Sequence, residues 1–221
     1  MAELGAAQRS AIEATGCELR CDRLTRCLYA VDASIYRVEP AAVAFPRSAM
    51  EAAAVLRAAA EAGLEITPRG AGTGLAGGAL GRGLVADLAR FNRRIGGLDR
   101  ERGTVRVGAG VVLDHLNSFL APYGLCFGPD VATSSRATLG GMIANNSSGA
   151  HAPVYGTTAD HVAALEVALP DGRVALVGEG CDDLPPLDQA RVRLRPRPAL
   201  ARRPRAADRG QRGHPGGGHR R

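Results

Sequence analysis

Pro68-Arg69-Gly70-Ala71-Gly72-Thr73-Gly74-Leu75-Ala76-Gly77-Gly78 is the stretch on which the reading of this chain turns. It holds five glycines in eleven residues behind a Pro-Arg pair. Without Cβ atoms in the way, successive backbone N–H groups can approach a ligand and form a concave anion site, whose usual occupant is a phosphate or pyrophosphate. The alternative is a mobile surface turn. Pro-Arg at the start and Leu-Ala in the middle are unlike the composition of a flexible linker.

The flanks place this loop between strands. Leu64-Glu65-Ile66-Thr67 reads as a strand delivering the chain into it, and Leu84-Val85-Ala86-Asp87-Leu88 as a strand leaving it. Ala42-Val43-Ala44-Phe45, ending at Pro46, is a short buried strand. Ser48-Ala49-Met50-Glu51 is a capping box that opens a helix through Val55, Leu56 and Ala59, closed by Gly63. Thr104-Val105-Arg106-Val107 is a further strand. Val112 to Tyr123 predicts an amphipathic helix with Leu113, Leu116, Phe119 and Leu120 on one face and Gly124 as its stop. Phe127 to about Tyr155 has little periodicity and reads as a long loop, a length usually functional or disordered. Val162–Leu169 and Arg173–Val177 flank Pro170-Asp171-Gly172, a hairpin signal. Residues 1–30 start helical and polar and lead into Arg26-Cys27-Leu28-Tyr29-Ala30-Val31-Asp32-Ala33-Ser34. The mixture predicts an α+β fold.

Two common phosphate loops are excluded. Gly72-Thr73-Gly74-Leu75-Ala76-Gly77 matches G-x-G-x-x-G, but the Rossmann turn must open a helix. Here Gly78, Gly81 and Gly83 follow, then the strand at Leu84. A Walker loop needs lysine, and all 28 Lys+Arg residues are arginine.

The net charge of +6 is unevenly spread. Residues 188–221 carry 11 arginines against two acids, which leaves 17 arginines against 20 acids in the rest of the chain. The main body is thus mildly acidic and nucleic acid is an improbable partner for it. After Cys181 there is no usable apolar period, and no aromatic follows Tyr155, so a low-complexity, disordered arginine/proline-rich basic tail is expected over 181–221. Three readings stay open for that tail: a frameshifted or truncated end of a GC-rich gene, a genuine arginine-rich arm that binds nucleic-acid phosphates, or a linker. Five cysteines without a Cys-x-x-Cys pair read as reduced thiols rather than a metal site. No apolar run is long enough to span a membrane, and the N-terminus lacks signal-peptide character, so a cytoplasmic protein is expected.

A second glycine-rich region bears on which phosphate ligand is meant. Phe127-Gly128-Pro129-Asp130 leads to Thr138-Leu139-Gly140-Gly141-Met142-Ile143-Ala144-Asn145-Asn146-Ser147-Ser148-Gly149-Ala150-His151 and then Tyr155-Gly156. Small hydroxyl and amide side chains alternate there with open backbone. These two loops, a strand–helix unit apart, resemble the FAD-binding domain of the vanillyl-alcohol oxidase / p-cresol methylhydroxylase superfamily. Within it they resemble bacterial D-2-hydroxyacid dehydrogenases: the FAD subunit of glycolate oxidase, D-lactate dehydrogenases and the longer FAD-plus-iron–sulfur oxidases. Arg69 to Leu80 looks like the glycolate oxidase form. Asn145 to His151 with Tyr155-Gly156 looks more like the iron–sulfur form, and Tyr29 to Ser34 with Tyr36 is similar to that family's N-terminal lead-in. The likeness covers roughly residues 25–178.

The resemblance implies two α/β subdomains, the second incomplete. It divides the chain into an N-terminal helical lead-in (1–35), the FAD domain (36–180) and the tail (181–221). It implies non-covalent FAD, because some members attach the cofactor through a histidine in the first loop, at about the place of Thr73. Pro68, Arg69, Gly70, Ala71, Gly72, Thr73, Gly74 and Gly77 would wrap the pyrophosphate through backbone N–H groups. Pro129 and Asp130 would lie along the cofactor with Thr133 and Ser134 near it. Thr138, Gly141, Asn145, Ser147 and Gly149 would approach the flavin or its ribityl chain. His151 is a candidate site-facing residue, whereas His115 and His161 read as solvated or core histidines, and Asp87 and Glu166 as structural. The substrate implied is a small D-2-hydroxy acid such as glycolate or lactate. In that family the base and carboxylate-binding arginines come mainly from a cap domain, so this chain is expected to be catalytically incomplete, with a partner chain as one possible source of a cap or iron–sulfur domain. The alternative is a non-catalytic relic with a nucleic-acid-binding tail.

Overall fold

The computed structural model describes residues 3–178 and 190–196. They form two sheets. The first is built from β1 (Glu18–Arg20), β2 (Ala42–Phe45), β3 (Ile66–Arg69) and β4 (Leu84–Asp87) in the order β1-β2-β4-β3. β2 and β3 run parallel to β4, and β1 antiparallel to β2. β2 and β4 are buried along their whole length. That is the environment an unbroken apolar run needs, because both faces of such a sheet are covered. Ala42, Ala44 and Leu84 face Val55 and Ala59 of α3 (Ala49–Glu61) and Ile12 of α1 (Ala6–Glu13). The alternate residues Val43, Phe45 and Val85 meet Tyr29, at the end of α2 (Arg23–Tyr29), and Phe91.

α3 starts where the capping box places it. Ser48 Oγ accepts the Glu51 N–H at 3.1 Å. The reciprocal bond shifts by one residue: the Glu51 carboxylate accepts from the N–H of Arg47 rather than that of Ser48.

The second sheet is antiparallel throughout, in the order β5-β6-β10-β8-β9. Its strands are β5 (Ile95–Asp99), β6 (Thr104–Val107), β8 (Val162–Ala168), β9 (Val174–Gly178) and β10 (Ala190–Arg193). The β8–β9 hairpin closes at Pro170-Asp171-Gly172, where Gly172 takes a φ of 81° and the Leu169 N–H reaches the Arg173 carbonyl at 2.8 Å. α4 (Leu113–Leu120) lays Leu113, Leu116 and Leu120 on Val105 and Val107. Phe119, expected on the same face, is 37% exposed beside Tyr123. Six residues on from Leu113 it lies about 120° around the helix from Leu113 and about 60° beyond Leu116, past the edge of the stripe.

Three expectations are corrected. β1 interrupts the N-terminal helical segment and joins the first sheet, so 1–35 is integral to that subdomain. The long loop 127–155 contains two short helices, α5 (Leu139–Ala144) and α6 (Ala152–Tyr155). Finally, residues 190–196 are not tail. β10 sits between β6 and β8, with Val192 fully buried, Leu194 packed on the same core, and β11 (Arg195–Pro196) paired with β7 (Leu125–Cys126). Arg191-Val192-Arg193-Leu194-Arg195 alternates charge with apolar residues at period two, a strand pattern that the arginine-rich composition masks. The remainder of the expected tail, with its open alternatives, lies outside the described residues. Among the described residues no helix is long and apolar enough to cross a membrane.

Candidate functional site

β3 hands the chain to the first glycine loop, which runs through residues 70–83 to β4 without a helix. Arg69 shapes this loop from inside. Its guanidinium donates to the carbonyls of Val31 at 2.7 Å, Tyr29 at 3.2 Å and Ala79 at 3.4 Å, and lies over the Tyr29 ring. Those bonds tie the loop to the lead-in segment. Gly72, with a φ of 67°, fits against that guanidinium, and its carbonyl accepts the Ala33 N–H at 2.9 Å. A Cβ on Gly77 would meet the Tyr36 ring at 2.9 Å. Among the described residues, the N–H groups of Ala71 through Ala76 have no protein acceptor, and Gly74 faces open space.

The second glycine-rich loop comes back onto the first at one point. A Cβ on Gly70 would stand 2.3 Å from Thr138 Oγ1 and 3.8 Å from Gly141 Cα. Thr138 is 3% exposed, and its Oγ1 is buried with no hydrogen-bond partner. Such a hydroxyl costs folding free energy unless something else satisfies it. Around this junction lies a cleft of about 280 Å³ whose walls include Tyr29, Arg69, Gly70, Asp87, Arg136 and Thr138. The Asp87 carboxylate is buried and satisfied: it accepts from the Tyr29 hydroxyl and from the N–H groups of Ala89 at 2.7 Å and Arg90 at 2.9 Å. Burial, and then the bond to Asp87, push the Tyr29 hydroxyl above its ordinary pKa, so it stays a neutral donor.

Other residues singled out from the sequence hold the second loop's own fold. Asn145 Nδ2 donates to the Gly141 carbonyl at 2.9 Å. The Ser147 carbonyl accepts from Thr158 N–H at 2.9 Å and Thr158 Oγ1 at 2.6 Å. The Ser134 carbonyl accepts the Asp114 N–H at 3.1 Å, and Thr133 is exposed. Pro129 is buried beside Asp130, whose carboxylate bonds the His151 ring and its N–H. Gly149 is required here, since a Cβ would fall 2.1 Å from Asp130 Oδ1. His161 is a core residue, 1% exposed, bonded through Nε2 to the Tyr155 carbonyl and packed on Phe127. His115 is exposed. The structure thus brings Arg69, Gly70, Ala71 and Thr138 together in the cleft wall and leaves Asn145, Ser147, Thr133, Ser134 and Asp130 outside it. Arg136, Tyr29 and Asp87 were not singled out as ligand-binding positions; Arg136, two residues before Thr138, was the legible one.

Asp130 supplies a pH prediction. Burial raises its pKa, but the hydrogen bonds and charge of His151 outweigh it and hold the carboxyl below its ordinary range. A depressed native pKa gives stability that is fully present above the unfolded value and is lost as pH falls through the native value. Asp130→Asn is therefore expected to melt below the parent chain at pH 7, with the gap closing as pH falls below about 4. A gap that is constant with pH would contradict this. The comparison also removes the contributions of Asp22, Asp160 and Asp171, whose depressed values both chains share.

Residues 40–178 match a family described as FAD binding domain. D-2-hydroxyglutarate dehydrogenase of Escherichia coli (strain K12) is 46% identical over 156 residues, covering 69% of this chain and 15% of that protein. D-lactate dehydrogenase of Anaerostipes hadrus is 37% identical over 144 residues, covering 64% of this chain and 30% of that protein. The chain thus spans well under half the length of either relative. In fold it is similar to xylooligosaccharide oxidase from Myceliophthora thermophila C1, with a TM-score of 0.72 at 21% identity over 86% of this chain and 43% of that one. The matched stretch takes in both glycine-rich loops and the contact of Gly70 with Thr138, and over it the chain belongs to the FAD-binding domain family.

Proposed function

We propose that this chain is the cofactor-holding part of a flavin-linked dehydrogenase of a small D-2-hydroxy acid. The observation that carries the reading is the junction of Gly70 with Thr138, where a loop with free N–H groups meets an orphaned buried hydroxyl. Both features fit a dinucleotide cofactor: the N–H groups from Ala71 to Ala76 would take phosphate oxygens, and Thr138 Oγ1 would gain the partner it lacks. Bound FAD would supply the redox chemistry. The chain's own residues bind and orient. Arg69 fixes the loop in advance, so little ordering remains to be done on binding. Pro68, Gly72, Thr73, Gly74 and Gly77 belong to the same cradle in this reading. Pro129, Asp130, Thr133, Ser134, Gly141, Asn145, Ser147 and Gly149 shape the second loop in this reading, which brings Thr138 to the cradle. Thr73 stands where a covalent link would be made, which favours dissociable FAD.

The substrate class rests on the names of the relatives, D-2-hydroxyglutarate dehydrogenase and D-lactate dehydrogenase. In our reading the substrate-side base lies in the part of those proteins that this chain does not span, on a cap in the same polypeptide or in a partner chain. The described residues of 1–35 and 36–180 act as one unit, to which 190–196 contributes β10 and β11. Among the described residues Cys17, Cys21 and Cys27 are thiols outside any disulfide, which supports a reducing compartment such as the cytoplasm.

The test is a titration of the purified chain with FAD, read by the visible flavin band and by quenching of flavin fluorescence. Saturable one-to-one binding, with the flavin released into the supernatant on acid denaturation, is the expected result. A folded chain that takes up no FAD would overturn the reading.

A further inference from the structure

We propose that Arg136 is the cationic partner of the cofactor's pyrophosphate in this chain, acting beside the Thr138 hydroxyl; this rests on the FAD-binding reading above and assigns a role within it.

The argument begins with Arg69, the cation nearest the glycine loop in sequence. Its guanidinium is spent on the carbonyls of Tyr29, Val31 and Ala79 and on the face of the Tyr29 ring. It sets the loop's shape but has few donors left for a ligand. Two further arginines line the same cleft. Arg93 commits its Nε to the Ala89 carbonyl at 2.6 Å. Arg136 is exposed, and among the described residues its side chain has no hydrogen bond, ion pair or ring contact. Its backbone, in contrast, is fixed, the N–H reaching the Thr133 carbonyl at 2.8 Å. The cleft therefore presents an unpaired guanidinium on a held backbone, two residues from a hydroxyl that is 3% exposed and has no partner.

One charge of the opposite sign lines this cleft, the carboxylate of Asp87. Three donors, the Tyr29 hydroxyl and two N–H groups, already bond it, and among the described residues it forms no ion pair with Arg136. The chemistry left over is that of an anion with several acceptor oxygens. A planar guanidinium with five donors matches a phosphate bidentately, and Thr138 can donate to a further oxygen.

The two residues should respond differently to substitution. Arg136 is exposed, so Arg136→Gln leaves the fold intact and should weaken FAD binding by about 10- to 100-fold. It should also flatten the dependence of the dissociation constant on salt, because a screened charge pair is lost. Riboflavin, which lacks both phosphates, should bind the variant and the parent alike. Thr138→Val removes an unsatisfied buried hydroxyl. It should raise the melting temperature of the cofactor-free chain by about 2–4 °C while lowering FAD affinity, two changes of opposite sign that loss of structure cannot produce.

Binding of FAD and riboflavin is measured by fluorescence titration on the full chain and on both variants, with melting curves alongside. Loss of FAD affinity in Arg136→Gln with riboflavin unaffected supports the assignment. Equal FAD affinity in Arg136→Gln and parent overturns it and leaves the FAD reading standing, as does an equal loss for FAD and riboflavin. A folded parent chain that binds no FAD overturns the FAD reading and this assignment with it.

Discussion

Gly70→Val is expected to abolish measurable FAD binding and to destabilise the chain by about 1–3 kcal/mol, the usual cost of overpacking a filled site. Gly70 has no positive φ, so the cost is not backbone strain. It is the place where the two glycine-rich loops touch. The first new atom would stand 2.3 Å from Thr138 Oγ1, on a side chain that is 3% exposed and cannot swing away, with Gly141 Cα behind it at 3.8 Å. The loops must part to admit the new side chain, and the cleft between them loses its shape. Gly74→Ala is the matched control. Nothing lies within 4 Å of the Cβ added there, so its melting curve should follow that of the parent, and any loss of FAD affinity reports on the ligand alone. Denaturant titration gives the stability of each variant, and flavin fluorescence gives the binding. Gly70→Val binding FAD as tightly as the parent would show that the contact between the loops does not matter to the site.

Much of the first sheet was readable in sequence because local signals agree there with tertiary ones. Ala42-Val43-Ala44-Phe45 is apolar without a break and is buried on both faces. Ser48 caps the helix that covers one of those faces. In the second sheet, Gly172 of Asp171-Gly172 supplies the positive φ that its hairpin needs. What was missed lacks a local signal. Leu139-Gly140-Gly141-Met142 is a poor helix by propensity. It is helical because Leu139 and Met142 are drawn into the core of the second subdomain. In the candidate site the glycine loops were legible, since glycine clusters signal close approach. The contact of Gly70 with Thr138 was not, because it is tertiary. Arg69 shows the limit most plainly: its place in the first glycine loop was readable, but its work of bonding three carbonyls inside the chain depends on where Tyr29, Val31 and Ala79 come to lie.

Val192→Asp should be the most damaging single substitution outside the glycine loops. Val192 is fully buried in the middle strand of the second sheet, between β6 and β8, in the same core as Val105, Leu113 and Leu116. A carboxylate there has no cation to pair with in that apolar cluster. An uncompensated buried charge costs about 3–5 kcal/mol, a large share of the roughly 5–15 kcal/mol that holds a domain together. Burial raises the pKa of the new carboxyl, so the variant should be least stable near neutral pH and recover part of the loss as pH falls from that raised value toward the ordinary carboxyl value of about 3.9, where the recovery ends. Chemical denaturation at pH 7 and again near pH 4 measures both effects. If residues 190–196 were instead part of a solvated arginine-rich tail, the same substitution would add one charge among many and change stability by less than about 0.5 kcal/mol at either pH. The two readings of Arg191-Val192-Arg193-Leu194-Arg195 therefore differ several-fold in predicted free energy. Composition favours the tail and period-two alternation favours the strand. The strand also places Val192 against Val105 and leaves Leu194 on the core that carries Thr138 and its neighbours, so a loss of β10 should loosen the second glycine loop and weaken FAD binding in proportion to the stability lost.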